Sequence, residues 1–505
     1  MLLEYYHLEY YVDKLRAENL LVEENLLDSS NKLVTGLEFN SNAVQSNTLF
    51  VCKGANFKKE YLIDAIERGA LGYVAETKQA IGKSIPYILV TDIRIAMALL
   101  AEIFYNNPQE KLKIIGIGGT KGKTTTTYYV RAILDDYLKA EGKLPAGVSS
   151  TITTFDGFEE MEAANTTPEA MDLQKHLAKA VDAGLEYMVM EVSSQAFKYH
   201  RTDRLTFDVA IFLNIDEDHI SPVEHPDFED YRASKAKMFK QTKQLIINNE
   251  TQERDYLFNK AKNADEFYTF SLVAKEADYF VSEIETVQLE SHFHVQSKNI
   301  DDSYKLSMPG DFNIENAVAA IAATDLLNIP QTYAKAALRK IQVPGRMGIL
   351  STDDHNVIAV ADFAHNRLSF EQLALSMQKS YPDYKIVSVF GAPGGKALGR
   401  REELGSVGGQ YSDFVILTMD DPAFERVEEI SNEIAQYVEK ENTPYLIIDD
   451  REEAIREAFN HVDGQTIILI IGKGHEKVMH IKGEKVPMSS DFELIQKYIE
   501  DYNHN

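Results

Sequence analysis

The chain has 505 residues, a single cysteine, 44% hydrophobic residues and a formal net charge of −27. That length predicts about three domains of ordinary size. Cys52 alone excludes an internal disulfide and fits a reducing compartment, and the charge disfavours non-specific binding to nucleic acid or to an anionic membrane. No apolar run reaches the roughly 20 residues of a membrane helix, and the N-terminal stretch lacks the basic n-region of a secretory signal, so a cytoplasmic protein is expected.

Over residues 1–108, short apolar runs predict strands at Thr48–Cys52, Gly72–Ala75 and Tyr87–Val90. Arg94–Tyr105 reads as a helix closed by Asn106-Asn107-Pro108, a natural linker. Next comes Lys113-Ile114-Ile115-Gly116-Ile117-Gly118-Gly119-Thr120-Lys121-Gly122-Lys123-Thr124-Thr125, a strand-like run entering a glycine-rich turn and then a helix. Small residues there let backbone N–H groups converge on an anion, and the helix N-terminus adds partial positive charge. Ile117 stands where the strict P-loop spacing needs glycine, so the match is to a shorter form running from Gly119 to Thr125. In it Lys123 can reach terminal phosphates and Thr124 can hold Mg²⁺.

Strand candidates follow at Tyr187–Glu191, Val209–Asn214 and Gln244–Asn248, and Asn313–Leu327 reads as an alanine-rich helix. The alternation predicts a parallel sheet with crossovers, whose ligands sit beyond the carboxyl ends of the strands. There lies Glu191, either a metal ligand or a helix cap, and further on His219, beside carboxylates that suit a divalent cation. The stretch Tyr231–Lys240 carries three lysines, on the residues alone a solvated basic face. Val343-Pro344-Gly345 marks a second boundary. Beyond it, strand candidates Val357–Ala361, Ile386–Gly391, Phe414–Thr418, Tyr445–Ile448 and Thr466–Gly472 predict a second doubly wound unit. Four of these strand ends carry polar or glycine-rich turns: Asp362-Phe363-Ala364-His365-Asn366, Gly391-Ala392-Pro393-Gly394-Gly395, Asp420-Asp421-Pro422-Ala423 and Gly472-Lys473-Gly474-His475-Glu476. Any one could be an ordinary turn; together they read as the rim of a second ligand site.

The order of these motifs resembles the Mur ligase family, over almost the full length. Further matching pieces are Asn165-Thr166-Thr167-Pro168, Glu191-Val192-Ser193-Ser194, Asp218-His219, Tyr231 to Lys235, Gly310-Asp311-Phe312-Asn313 and Pro344-Gly345-Arg346-Met347. The resemblance implies an α/β protein of three domains: a UDP-binding domain over residues 1–108, a central P-loop ATPase with a mostly parallel sheet over 109–343, and a Rossmann-like, amino-acid-binding domain over 344–505. It implies amide formation driven by ATP, with UDP-N-acetylmuramoyl-L-alanyl-D-glutamate as acceptor and an acyl phosphate as intermediate, in peptidoglycan precursor synthesis. By position it assigns Gly119, Thr120, Lys121, Gly122, Lys123, Thr124 and Thr125 to the ATP phosphates, and Asn313, Arg346, Asp362 and His365 to ATP. Thr124, Glu191, His219 and Lys235 match metal positions for Mg²⁺, with Mn²⁺ as an alternative. Lys235 matches a lysine carbamylated by CO₂, which requires a neutral amine and hence a site that depresses its pKa. Lys123, His219 and Lys235 form the implied catalytic set. Ser41, Thr166, Thr167, Ser193 and Arg201 match nucleotide-peptide contacts.

For the added amino acid, Ala423 stands where relatives using meso-diaminopimelate carry arginine, so a second carboxylate would lose its partner. L-lysine is favoured, with Asp420, Asp421 and Glu476 as acidic partners near Gly472, and L-ornithine and meso-diaminopimelate as alternatives. Arg400 is the expected partner of the amino acid's own carboxylate, with Arg401 as the alternative. Asn40-Ser41-Asn42 departs from the family's Asp-Ser-Arg, and Gln195 from its histidine. A monomer without nucleic-acid partners is expected. The competing readings are another ligase of the superfamily, such as folylpolyglutamate synthase, a plain ATPase or kinase, and a nucleotide-binding paralogue without activity.

Overall fold

In the computed structural model, residues 4–54, 57–217, 220, 224–395 and 398–504 are described; the predicted metal residue His219, with Asp218, lies outside them. The chain forms two compact units, Met1–Tyr279 with Ala319–Tyr333, and Phe280–Val318 with Ala334–Asn505. No helix among the described residues is long and apolar enough to cross a membrane.

The first unit begins with a five-stranded sheet in the order Leu21–Asn25, Tyr87–Val90, Ala70–Ala75, Thr48–Val51, Gly36–Glu38. All its pairings are parallel except the first. The helix Leu8–Ala17 packs Leu8, Tyr11, Val12 and Leu15 into its core. That spacing is one face of a helix. The predicted helix over Arg94–Tyr105 forms as Ile93–Phe104, capped by the Asp92 carboxylate, which accepts from the N–H groups of Arg94 and Ile95.

A larger sheet of the same unit runs Glu266–Ser271, Thr242–Asn248, Phe207–Phe212, Lys113–Gly118, Tyr187–Glu191, Gly147–Ser149, all parallel among the printed pairings, and continues antiparallel into Thr153–Phe155 and Glu160–Glu162. The inner strands are buried on both faces, which explains their near-continuous apolar sequence. The carboxyl ends of Lys113–Gly118, Tyr187–Glu191 and Phe207–Phe212 lie side by side, so the turns that follow them share one rim.

The second unit holds a six-stranded sheet in the order Gly348–Ser351, Val357–Asp362, Thr466–Ile471, Lys385–Phe390, Phe414–Leu417, Tyr445–Ile447, parallel except at its first strand. It also contains antiparallel pairings within Phe280–Leu306, which the sequence analysis did not assign, and the hairpin Val478–Ile481/Glu484–Pro487. The predicted alanine-rich helix forms as Asp311–Leu326.

Candidate active site

The phosphate-loop motif folds as expected from its residues. Lys113–Gly118 is a strand, and Lys123–Ala140 a helix entered through Gly122 at φ +84°. Gly119 has φ +144°, an angle that strains any side chain, and a Cβ there would crowd the Leu213 Cβ at 3.0 Å. Asn214, at the end of the neighbouring strand, clamps the turn. Its Oδ1 accepts from the N–H groups of Thr120 at 3.0 Å and Lys121 at 2.8 Å, and its Nδ2 donates to the Lys121 carbonyl at 3.2 Å. Thr120 Oγ1 meets the Tyr231 hydroxyl at 3.0 Å.

Two lysines converge on one carbonyl of this loop. Lys123 Nζ donates to Gly119 O and Thr120 O, each at 3.0 Å, and Lys235 Nζ donates to Gly119 O at 2.7 Å. Lys235 is 4% exposed and its Nζ lies 4.7 Å from the centre of the Tyr231 ring. The solvated basic face expected from the residues alone is therefore corrected at this position. Tyr231 and Lys235 are four apart on the helix Phe228–Ala236 and share its inner face, while Lys237 and Lys240 remain exposed.

Glu191 is fully buried at its strand end. Its carboxylate accepts from Thr151 N at 2.8 Å and Thr151 Oγ1 at 3.0 Å, and Thr166 Oγ1 lies within hydrogen-bond distance of Thr151 Oγ1 at 3.1 Å. Thr167 Oγ1 donates to the Glu191 carbonyl and accepts from Ser193 N. The cap of the next helix is Ser193, whose Oγ accepts from Ala196 N, so Glu191 is not the cap. Arg201 donates to Thr167 O at 3.0 Å and pairs with Glu169 at 2.7 Å. Thr124 and Thr125 are buried in the first helical turn. Ser41 is buried, and its hydrogen bond helps hold the Asp64 carboxyl below the usual range. Gln195 donates to Glu224 at 2.9 Å.

In the second unit, Asp362 binds backbone on both oxygens: Oδ2 accepts from Met347 N and Oδ1 from Ala364 N, each at 2.7 Å. Burial pushes this carboxyl up, against the opposing pull of Arg346, which lies over the Phe363 ring. His365 Nδ1 is 2.9 Å from Phe363 O. Asn313 is fully buried; its Nδ2 donates to Pro309 O at 2.8 Å, and its Oδ1 has no hydrogen-bond partner among the described residues. The turn around Arg346 lines a cavity of about 440 Å³ with His475 and Phe492.

The acidic strand-end motif differs from expectation. Lys473, 1% exposed, places Nζ 3.0 Å from Asp421 Oδ1 and pairs also with Glu476, so two of the three carboxylates expected to await a substrate ammonium already hold a cation of the chain. Asp420 is buried, its carboxyl pushed up to about 6 by burial despite nearby Arg451 and Lys473. Gly472, at φ +112°, leaves room for it; a Cβ there would lie 2.3 Å from Asp420 Oδ2. Arg401 is buried, with its two terminal nitrogens on Glu433 at 2.6 Å and Glu425 at 2.7 Å, whereas Arg400 is partly exposed and not held by these carboxylates. Ala423 joins the hairpin through its backbone: its N–H donates to His480 O at 3.1 Å, and its carbonyl accepts from Lys482 N. Asn214, Thr151 and Lys473 went unassigned in the sequence analysis; their signal was position, one turn beyond a strand or beside a matched motif.

Strand-end turns that gather a phosphate loop, a buried acid and a buried lysine define a nucleotide-dependent enzyme. Residues 117–324 match the family model described as Mur ligase middle domain, and residues 345–474 that described as Mur ligase, glutamate ligase domain. The chain is 39% identical over 473 residues to a UDP-N-acetylmuramoyl-L-alanyl-D-glutamate--L-lysine ligase of Streptococcus agalactiae, covering 93% of each chain. It is 38% identical over 508 residues to a UDP-N-acetylmuramyl-tripeptide synthetase of Ligilactobacillus salivarius, covering 96% of this chain and 98% of the relative. A solved UDP-N-acetylmuramoyl-L-alanyl-D-glutamate--2,6-diaminopimelate ligase shares the fold, with TM-score 0.70 at 22% identity over 99% of this chain and 100% of that one. The chain belongs to the Mur ligase family and is a ligase.

Proposed function

We propose that this ligase uses ATP to join L-lysine to the D-Glu γ-carboxylate of UDP-N-acetylmuramoyl-L-alanyl-D-glutamate, a step of peptidoglycan precursor synthesis. The observation that supports this reading is the pair of lysines, Lys123 and Lys235, on the Gly119 carbonyl of the phosphate loop, with Glu191 at the end of the adjoining strand, in a chain that matches named lysine ligases almost end to end. A γ-carboxylate oxygen attacks the terminal phosphorus of ATP, ADP leaves, and an acyl phosphate forms. The neutral α-amine of lysine then attacks the acyl carbon. The tetrahedral intermediate expels phosphate, and the amine's proton is lost to solvent or a base.

Gly119 to Thr125 supply backbone donors to the phosphates, and Lys123 supplies the charge that offsets the leaving group. The orphaned Asn313 Oδ1 is an acceptor awaiting an N–H donor, and fits the exocyclic amine of adenine. Arg346, Asp362 and His365 are assigned to ATP in the same reading. Thr124 and Glu191 offer oxygen donors, the chemistry Mg²⁺ prefers. Mg²⁺ takes oxygen ligands and keeps several waters, so phosphate and water oxygens would complete its shell. When bound, Mg²⁺ would neutralise phosphate charge. His219 is assigned to the metal as well, and Lys235 by carbamylation, in which its neutral amine adds to CO₂ and loses a proton to become a carboxylate donor. Thr166, Thr167, Ser193, Arg201 and Ser41 are assigned to the nucleotide-peptide. Arg400, Asp420, Asp421, Ala423, Gly472 and Glu476 are assigned to the amino acid, with domain limits 1–108, 109–343 and 344–505. A cytoplasmic monomer is part of the proposal.

The test is ATP-dependent phosphate release with UDP-N-acetylmuramoyl-L-alanyl-D-glutamate and, in turn, L-lysine, L-ornithine and meso-diaminopimelate. Release that requires both co-substrates and is fastest with L-lysine is expected. Faster turnover with diaminopimelate would overturn the reading of Ala423, and release without an amino acid would overturn the ligase reaction.

A further inference from the structure

The turn Asn40-Ser41-Asn42 carries no charge, and the nearby Arg68, which touches Asn42 Oδ1 at 3.5 Å, is held by Asp64 at 3.0 Å. A substrate bearing a diphosphate and carboxylates must therefore find its cations elsewhere, in a chain whose net charge is −27. One place supplies them. Lys53, Arg94 and Arg201 converge on the single carboxylate of Glu169, at 2.8, 3.8 and 2.7 Å. Burial pushes that carboxyl up, yet the three cations outweigh it and hold it below the usual range. The next carboxyls outward, Asp172 and Glu38, are both pushed up by burial, with Lys175 beside them.

Three cations on one carboxylate leave donors over. Arg94 Nη1 and Arg201 Nε are buried and make no hydrogen bond among the described residues. Both guanidinium groups lie by the Tyr199 ring, at 4.3 and 5.9 Å from its centre. The cluster also spans the two groups of residues already assigned to the nucleotide-peptide. Lys53 Nζ lies 4.5 Å from the centre of the Phe39 ring, one residue before the Asn40 turn, and Arg201 bonds Thr167 O beside Glu191.

We propose that Lys53 and Arg94 complete, with Arg201, an anion subsite that takes a negatively charged oxygen group of the nucleotide-peptide, its diphosphate or its free carboxylate. This rests on the function proposed above. Glu169 holds the cations in place before the ligand arrives, so their side chains lose little freedom on binding.

The experiment is calorimetric titration of UDP and of UDP-N-acetylmuramoyl-L-alanyl-D-glutamate into the parent protein, Lys53→Gln and Arg94→Lys, with thermal melts and the KM for ATP alongside. Nucleotide-peptide affinity is expected to fall about tenfold or more in each variant, with a weaker salt dependence, while the KM for ATP stays within about twofold. An equal loss for UDP identifies the diphosphate as the bound group; unchanged UDP affinity identifies the carboxylate. Unchanged affinity for both compounds in folded variants would overturn the subsite. So would parallel losses for ATP and nucleotide-peptide, the mark of a structural role. Failure of the parent protein to bind either compound would overturn the functional reading, and the subsite with it.

Discussion

Lys235 is placed by two local facts: its spacing of four from Tyr231, and the loop carbonyl of Gly119, a residue whose φ of +144° favours glycine, which accepts from its amine at 2.7 Å. In the reaction proposed above, this buried amine acts through its nitrogen. Lys235→Ala is therefore expected to lower kcat by about 100-fold or more, with partial rescue by formate or acetate in solution. Full activity in the variant would remove Lys235 from the mechanism. Asp420 gives a prediction of opposite kind. Its carboxyl, pushed up to about 6 in the folded chain, binds a proton more tightly there than in the unfolded chain. Its contribution to stability is complete below the unfolded value near 3.8 and is lost as pH rises through about 6. Asp420→Asn removes this dependence, so its stability relative to the parent should improve by about 1–3 kcal/mol between about pH 5 and about pH 8. Melting curves across that range check it, and a pH-independent difference would refute it.

At the scale of elements, a buried ion pair ties two helix starts of the second unit. Arg451, at the start of the helix Arg451–Asn460, grips Asp491, at the start of the last helix, through two bonds of 2.7 and 2.8 Å. It also donates to the carbonyls of Met419 and Ile471, and Asp491 accepts from Gly474 N. Removing one partner leaves the other charge buried and alone, so Asp491→Ala should cost about 3–5 kcal/mol. Arg451→Met combined with Asp491→Leu should cost less, read by denaturant unfolding. Equal or greater loss in the double variant would show that the helix ends depend on the charges themselves. Such contacts were not legible in the sequence, whereas the strands that lead to them were. Tyr187–Glu191 and Tyr87–Val90 match expectation to the residue because strands buried on both faces are continuous apolar runs. Tyr279–Val287 went unassigned because its second half, Ser282-Glu283-Ile284-Glu285-Thr286-Val287, is polar and mostly exposed, and sheet pairing rather than burial holds it. The phosphate loop was legible as a local pattern. Of the Lys53, Arg94 and Arg201 cluster only Arg201 was reached, through the resemblance; Lys53 and Arg94 were not, because the three are about 40 and 100 residues apart and those two are ordinary charged residues in their own segments.

For the whole molecule, the excess of 27 negative charges sets the field in which every substrate arrives. A cationic amino acid is drawn in and an anionic nucleotide is opposed, so capture of the nucleotide depends on local donors such as the loop N–H groups. With L-lysine, kcat/KM is expected to fall about two- to fivefold as ionic strength rises from about 0.05 to about 0.5 M, while norleucine, which lacks the distal charge, should show no such trend. Steady-state rates at fixed saturating nucleotide-peptide make the comparison, and equal salt slopes for the two amino acids would refute it.

Ala423 sits in the left-handed region at φ +52°, with its N–H and its carbonyl both bonded to the hairpin that ends the amino-acid motif. The conformational cost of a side chain in that region is therefore already borne, and the main chain is held from outside the motif whatever the side chain is. Position 423 behaves as an interchangeable tile in a fixed frame. Under the function proposed above, in which residue 423 faces the incoming amino acid, a lineage could exchange that residue, and with it the preferred building block, in one step and without refolding its surroundings.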